Sequence, residues 1–457
     1  MRRIALAAAG ALMLSAIGLA GTSGGALAAS TTRTQFGAPV KVTPTGGGGY
    51  EPGVYTDGFG NIFATAHKEN AELLLSPDPN SPTYTRSMSW DWYSADGGKT
   101  FHDLPGLSPA SLEQHDFGDE GDMSIDDAHH LYFTDTNVGD VTFTRWTVSG
   151  LGQYSLDFHR PVAPAGEPVD DRPWVVSHLD GHVFYFGNEG DKVTYTGGQG
   201  QPGSGNGPGR YTVYQSYDGG QTFNLTGYTL NDSGWCRPAA ESGTSYVYAF
   251  CTNDGGSDDF STPVQANGTL WAYVSSDDGR TFSRYKAGSY KALDTTTSWP
   301  SVYVAPDHSI WALYVDATKL DANDDPVGNK LVLFHSTDHG KTWSHQDITP
   351  QAGRYHYAWL AVSPSGKRLG IDYYYRPNDS QPWYVYGAIF SPSQKPVPVS
   401  LDPQNPVAPA DHEPPGDFLE CAFNADGTLD AIWTRDVVTT PVATLFRDIY
   451  FARSLTG

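Results

Sequence analysis

The sequence predicts an all-β chain, a single β-propeller of seven four-stranded antiparallel blades, with six blades and a distorted extra unit as the alternative count. Three observations predict it: a composition built for turns, an eight-residue motif present four times, and a longer unit that recurs along the whole chain. The composition comes first. With 51 Gly, 32 Pro and 13% aromatic residues, the chain favours many short strands joined by tight turns over helices.

The motif is Ser-x-Asp-x-Gly-x-Thr-aromatic. It occupies Ser94 to Phe101, Ser216 to Phe223, Ser275 to Phe282 and Ser336 to Trp343. Each fixed position has a mechanical reason. The Asp, Ser and Thr side chains bond turn amides, Gly permits a positive φ, and the closing aromatic fills the layer between neighbouring sheets. These are structural turns.

The longer unit is a polar or aromatic residue, usually followed by proline, then an alternating strand, a turn and an aromatic-rich strand. In chain order it begins at Glu51-Pro52, Glu120-Gly121, Arg172-Pro173, Arg237-Pro238, Trp299-Pro300, Tyr357-Ala358 and Phe418-Leu419. Successive units start 52 to 69 residues apart. A period of this size, with four short strands per unit, reads as propeller blades, because each sheet can bury its faces only against neighbouring sheets. A strand-like piece, Phe36 to Thr43, precedes the first unit. Pairing it with Ile449 to Arg453 would close the ring and remove a sheet edge.

Before that piece, the chain opens Met1-Arg2-Arg3, runs apolar from Ile4 to Ala20 and reaches Ala26-Leu27-Ala28, the layout of a cleavable export signal. The expectation is a leader over residues 1–29, a propeller domain over 30–457, and a secreted protein. No later segment offers the roughly 20 uninterrupted apolar residues of a bilayer-spanning helix. Without Arg2 and Arg3 the chain has 26 basic against 51 acidic residues, a surface that repels nucleic acid and anionic membrane. Of three cysteines, Cys236 and Cys251 flank a turn near Gly243 almost symmetrically and could pair across a hairpin in an oxidising compartment. Cys421, inside Leu419 to Phe423, reads as a buried strand residue without chemistry.

If the units are blades, the residue before each proline slot sits where an innermost strand meets the mouth of the central channel. That ring is Glu51, Glu120, Arg172, Arg237, Trp299, Tyr357 and Phe418. Carboxylates can protonate a leaving oxygen or activate water, guanidinium groups can bind an acidic sugar in bidentate fashion, and aromatic faces pack on pyranose rings. Glu51, Glu120 and Tyr357 are the catalytic candidates. Arg172, Arg237, Trp299, His356 and Phe418 are the candidates for holding substrate. Asp119, Asp122, Asp171, Glu413 and Asp417 neighbour this rim, and the loops after each second strand add His67, Glu189, Asp254, Asp316, Arg376 and Arg435. Asp321 to Asp325 begins like a calcium loop but has Pro326 where glycine is needed, and His129-His130 lacks a third ligand in sequence. No metal or cofactor is expected, and the expected partner of this monomer is a glycan.

The four motif copies resemble the Asp box of the sialidase and bacterial-neuraminidase-repeat superfamily. The resemblance implies a propeller whose boxes lie between the outer strands of each blade, on the face opposite the active site. Sialidases hold a substrate carboxylate with three arginines, the first in a Phe/Tyr-Arg-Ile-Pro motif, and use a Tyr and Glu couple with an Asp acid. Here the first blade reads Gly49-Tyr50-Glu51-Pro52, with Glu in place of that Arg. The expectation is therefore a glycan-active enzyme, a glycoside hydrolase by preference. A polysaccharide lyase using Tyr357, His356 and Arg237, or a propeller that only binds glycan or protein, are the alternatives.

Overall fold

The computed structural model describes residues 33–44, 48–69, 89–105, 120–137, 140–161, 174–189, 210–224, 227–253, 266–292, 299–320, 326–416, 418–438 and 445–455. Strands within them pair into seven four-stranded antiparallel sheets, and no helix occurs among the described residues. The innermost strands of blades 1 to 7 are Gly48–Thr56, Glu120–Ile125, Trp174–His178, Cys236–Ala240, Ser301–Val304, Arg354–Val362 and Glu420–Phe423. Each touches the next, and the seventh touches the first, so the sheets form a closed ring. The expected seven blades are therefore observed, and the six-bladed count is not.

Closure occurs as the leading segment predicts. Val40–Lys41 forms the outer strand of blade 7 against Leu445–Arg453, with Val40 opposite Phe451 and Lys41 opposite Tyr450. The strand at the start of the described chain thus covers the free edge of the last sheet.

Strands inside a blade are sandwiched between two neighbouring sheets, so they bury both faces. Leu369–Arg376 of blade 6, Leu-Gly-Ile-Asp-Tyr-Tyr-Tyr-Arg, is buried at every residue. Apolar and aromatic side chains fill these interfaces, with Trp146, Trp383 and Trp433 among the largest fully buried groups. Polar residues form the turns between first and second strands. In blade 1 the Asp57 carboxylate accepts from the backbone N–H of Phe59 and Asn61, each at 2.9 Å. In blade 2 Asp126 does the same for Ala128 and His130.

The four repeated turns share one hydrogen-bond scheme. The motif glycines Gly98, Gly220, Gly279 and Gly340 each donate N–H to the motif serine Oγ at 2.9 Å. The motif threonine hydroxyl donates to the aspartate at 2.6 to 2.7 Å in all four. A Cβ on Gly98 would lie 2.0 Å from the Phe451 ring, so glycine is required for close approach as well as for its φ of 81°. The closing aromatic of each turn packs on the preceding blade: Phe101 on Phe451, Phe223 on Phe143, Phe282 on Phe186 and Trp343 on Phe250. Cys236 and Cys251 face each other in adjacent strands and are disulfide-bonded, while Cys421 is a buried thiol.

Candidate functional site

Strand direction places the mouth. Within a blade the first strand pairs antiparallel with the second and the second with the third, so the first and third run parallel. The repeated turns follow the ends of third strands, at Ser94, Ser216, Ser275 and Ser336. The starts of the innermost strands, where the slot residues lie, therefore form the opposite rim.

Two slot residues stand apart by backbone. Glu51 and Tyr357 sit at equivalent positions in blades 1 and 6, with φ of 52° and 42°. They are the only residues other than glycine in the described strands with positive φ. At both, the ladder to the second strand skips, between Tyr50 and Gly53 in blade 1 and between His356 and Ala358 in blade 6. A bulge with a side chain held at positive φ stores strain that the surrounding packing must sustain, and such residues concentrate at functional sites.

Around Glu51 the contacts are polar and close. His67 Nε2 lies 3.2 Å from its carboxylate, and both groups are buried. Tyr50 stacks obliquely on His67, and the Arg447 guanidinium lies over Tyr50. Gly416 presses against Glu51, where an added Cβ would fall 2.7 Å from Glu51 Cγ. That glycine belongs to the loop that also carries Glu413 to blade 6.

On blade 6, His356 and Tyr357 contact edge to face at 4.0 Å between ring centroids. Burial, and after it the positive charges of Arg354 and Arg376, push the His356 pKa well below the ordinary imidazole range, so the ring is neutral. Its Nε2 is buried with no hydrogen-bond partner among the described residues, and its Nδ1 lies 3.9 Å from Glu413. Arg376 bonds the Ala410 carbonyl, stacks over Trp383 and reaches Asp379 at 3.0 Å and Glu413 at 3.8 Å. Arg354 reaches the same Asp379 at 3.1 Å. Two arginines, a neutral histidine and a strained tyrosine thus share one sector, faced by exposed carboxylates.

A second layer lies deeper along the channel. Asp122, Trp174, Trp359 and Glu420 each follow a slot by two residues and so point the same way, and Tyr55 takes the corresponding place beyond the blade 1 bulge. Arg237 reaches into this layer. Its guanidinium lies 3.4 Å from Asp122 and 3.3 Å from Glu420, between the rings of Trp174 and Trp359. Tyr55 donates a short hydrogen bond to Asp122, and the Val54 and Val175 amides bond Glu420 and Asp122. Burial pushes the Asp122 and Glu420 pKa values up, against the opposing pull of Arg237.

The slot residues therefore separate. Glu51, Tyr357 and its neighbour His356 lie in the sector spanning blades 6, 7 and 1. Arg237 is committed to two buried carboxylates. Trp299 and Phe418 are buried against Trp174, and Trp299 also against Trp235. Arg172 and the Glu120 side chain fall outside the described residues, as do Asp321 to Asp325. Trp383 and the axial set Tyr55, Trp174, Trp359 and Glu420 escaped the slot reading. The two-residue alternation of a strand was the signal for Trp174 and Glu420, while bulges interrupt it before Tyr55 and Trp359.

Among the described residues, two groups carry three clustered metal-ligating side chains, both on the rim of the repeated turns: His178 with His182 and Asp278, and Asp126 with His130 and Asp180. The second group contains His130 without His129, joined by Asp126 of the same turn and by exposed Asp180 of blade 3.

No family model matches the sequence, and no curated protein matches it. Solved structures are similar in fold. A protein of unknown function from Dyadobacter fermentans aligns over 93% of this chain and 100% of its own, at 14% identity and a TM-score of 0.50. The NanB sialidase from Streptococcus pneumoniae aligns over 93% of this chain and 69% of its own, at 12% identity and a TM-score of 0.44. A xylan β-1,4-xylosidase from Bacillus halodurans aligns over 62% and 52%, at 10% identity and a TM-score of 0.33. The likeness to the Dyadobacter fermentans protein reaches the fold and stops there.

Proposed function

We propose that this is a secreted propeller enzyme of the Asp-box, sialidase-like kind, acting on an acidic glycan at the mouth sector formed by blades 6, 7 and 1. The observation that carries the reading is the pair of strained bulges at Glu51 and Tyr357, with neutral His356 set between Arg354 and Arg376. Asp379 and Glu413 are half-exposed carboxylates resting on those arginines. A substrate carboxylate exchanges with them and takes bidentate bonds from the guanidinium groups. Tyr357 is the nucleophile, and Glu51 and Glu413 are the carboxylates for proton transfer, with Glu120 in reserve. The export-signal layout of residues 1–29 and the Cys236–Cys251 disulfide support a secreted protein.

One observation favours elimination as a second reading. The unpartnered Nε2 of a neutral histidine beside two arginines is suited to removing a proton next to a uronic acid carboxylate. Incubation with sialosides and uronate-containing polymers, following reducing ends and the absorbance of unsaturated uronate, separates the two. Reducing ends alone support hydrolysis, and both signals together support elimination. Glycan binding without turnover, unchanged in Glu51→Gln and His356→Gln, would replace both with a binding propeller.

A further inference from the structure

We propose that His178, His182 and Asp278 form a transition-metal site, zinc foremost, that staples blade 3 to blade 4 on the rim of the repeated turns. The two histidines are register partners at the turn joining the first two strands of blade 3. Asp278 comes from the repeated turn of blade 4, at the variable position before the motif glycine, and holds a φ of 63°. His178 Nε2 lies 3.0 Å from Asp278 Oδ1, and His182 Nδ1 lies 2.8 Å from Asp278 Oδ2.

Proton bookkeeping points to a cation among these atoms. His178 is buried, and its Nδ1 faces the Glu241 carbonyl at 3.3 Å. A carbonyl only accepts, so Nδ1 carries a hydrogen and Nε2 is the nitrogen that meets Asp278. A carboxylate also only accepts. The close contact therefore needs a positive charge between the two atoms, supplied by a proton on Nε2 or by a bound metal ion. His182 repeats the problem, since its buried Nδ1 makes no hydrogen bond despite its distance from Asp278. Ligands about 2.0 to 2.2 Å from a tetrahedral zinc ion are separated by roughly 3.3 to 3.6 Å along the edges of its coordination shell, so the observed 3.0 and 2.8 Å must widen slightly when the ion enters. Two imidazoles and one carboxylate select zinc-like ions over calcium or magnesium and leave a fourth position for water. The Nδ1 contact to Glu241 is the outer-shell bond that fixes the tautomer of a liganding histidine.

The neighbouring group shows what a self-sufficient cluster looks like. Asp126 accepts from the amides of Ala128, His130 and Gly181, from the Tyr132 hydroxyl and from His130 Nδ1. Its lone pairs are used, and Asp180 is exposed. Among the described residues, the Asp278 carboxylate meets only the two histidines.

The test is zinc content and zinc titration of untagged, chelator-stripped full-length protein, using wild type, His182→Ala, His178→Ala and His130→Ala. His182 lies at the rim, so its substitution spares the fold even where that of buried His178 does not. The expected result is one tightly held zinc per chain and a melting temperature that rises with added zinc. Binding should weaken at least about tenfold in His182→Ala and stay unchanged in His130→Ala. Absence of stoichiometric zinc in wild type, retention of it in His182→Ala, or its loss in His130→Ala alone would each overturn the assignment.

Discussion

On the rim of the repeated turns, four blades meet the same need with the same residues, and the Ser, Asp, Gly and Thr bonds recur almost unchanged. On the mouth rim the slot side chain changes around the ring, from two glutamates to two arginines to Trp299, Tyr357 and Phe418. The difference follows from what each rim must satisfy. A tight turn confronts every blade with the same unpaired amides, so one solution serves all. The mouth meets the channel, where seven innermost strands converge and each slot side chain has different neighbours. Even the uniform rim carries variable positions, and at the one before the motif glycine the chain touches the preceding blade: Arg145 at Gly219, Asp278 at His178, His339 at Glu241.

The largest effect expected breaks a simple division into a structural rim and a functional one. Arg237→Met removes the guanidinium that Asp122 and Glu420 share and leaves two buried carboxylates together. It should cost about 3 to 5 kcal/mol of stability in chemical denaturation, although the residue begins an innermost strand. A loss below about 1 kcal/mol would show that the axial layer is hydrated and open, and would return Arg237 to substrate binding.

Next in size are the repeated turns. Ala in place of Asp96, Asp218, Asp277 or Asp338 leaves turn amides and a threonine hydroxyl without an acceptor, at about 1 to 3 kcal/mol each. The melting temperature should fall in every case and turnover at permissive temperature should hold.

The smallest effect is a pH dependence. Burial raises the Asp96 and Asp338 carboxyls, but the bonds from the turn outweigh it and hold both down at about 2. Asp218 and Asp277 are lowered for the same reason. A depressed carboxyl adds stability above its unfolded pKa, near 4, and loses it as pH falls toward the folded value. Thermal scans should therefore lose stability from about pH 4 to about pH 2, with a shallower decline in the fourfold Asp→Asn variant. Equal slopes would mean that other acidic groups govern acid unfolding.

The sequence carried the fold further than the site. Each slot lies within three residues of the start of an innermost strand, because repetition exposes what a single blade would hide. Phe36 to Thr43 was legible as the closing strand, and Cys236 with Cys251 as a cross-strand pair. The site was harder for a physical reason. A bulge is one extra residue, and nothing in Gly49-Tyr50-Glu51-Pro52 or His356-Tyr357-Ala358 announces it. Once present, it shifts the facing of everything beyond, which placed Tyr55 on the axis unnoticed. Arg237 looked like its fellow slot residues, yet the carboxylates that claim it stand 115 residues away at Asp122 and in the last blade at Glu420. Likewise His178 and Asp278, 100 residues apart, meet only because neighbouring blades do.

The most direct test of the account pairs one residue from each rim. Tyr357→Phe and Asp338→Ala are measured side by side for melting temperature and for turnover of the acidic glycan that wild type cleaves. Tyr357→Phe should keep its melting temperature and lose about 10² to 10⁴-fold in turnover. Asp338→Ala should melt earlier and keep its turnover. Full activity in Tyr357→Phe, or a loss of turnover in Asp338→Ala at unchanged stability, would contradict the placement of chemistry at the mouth.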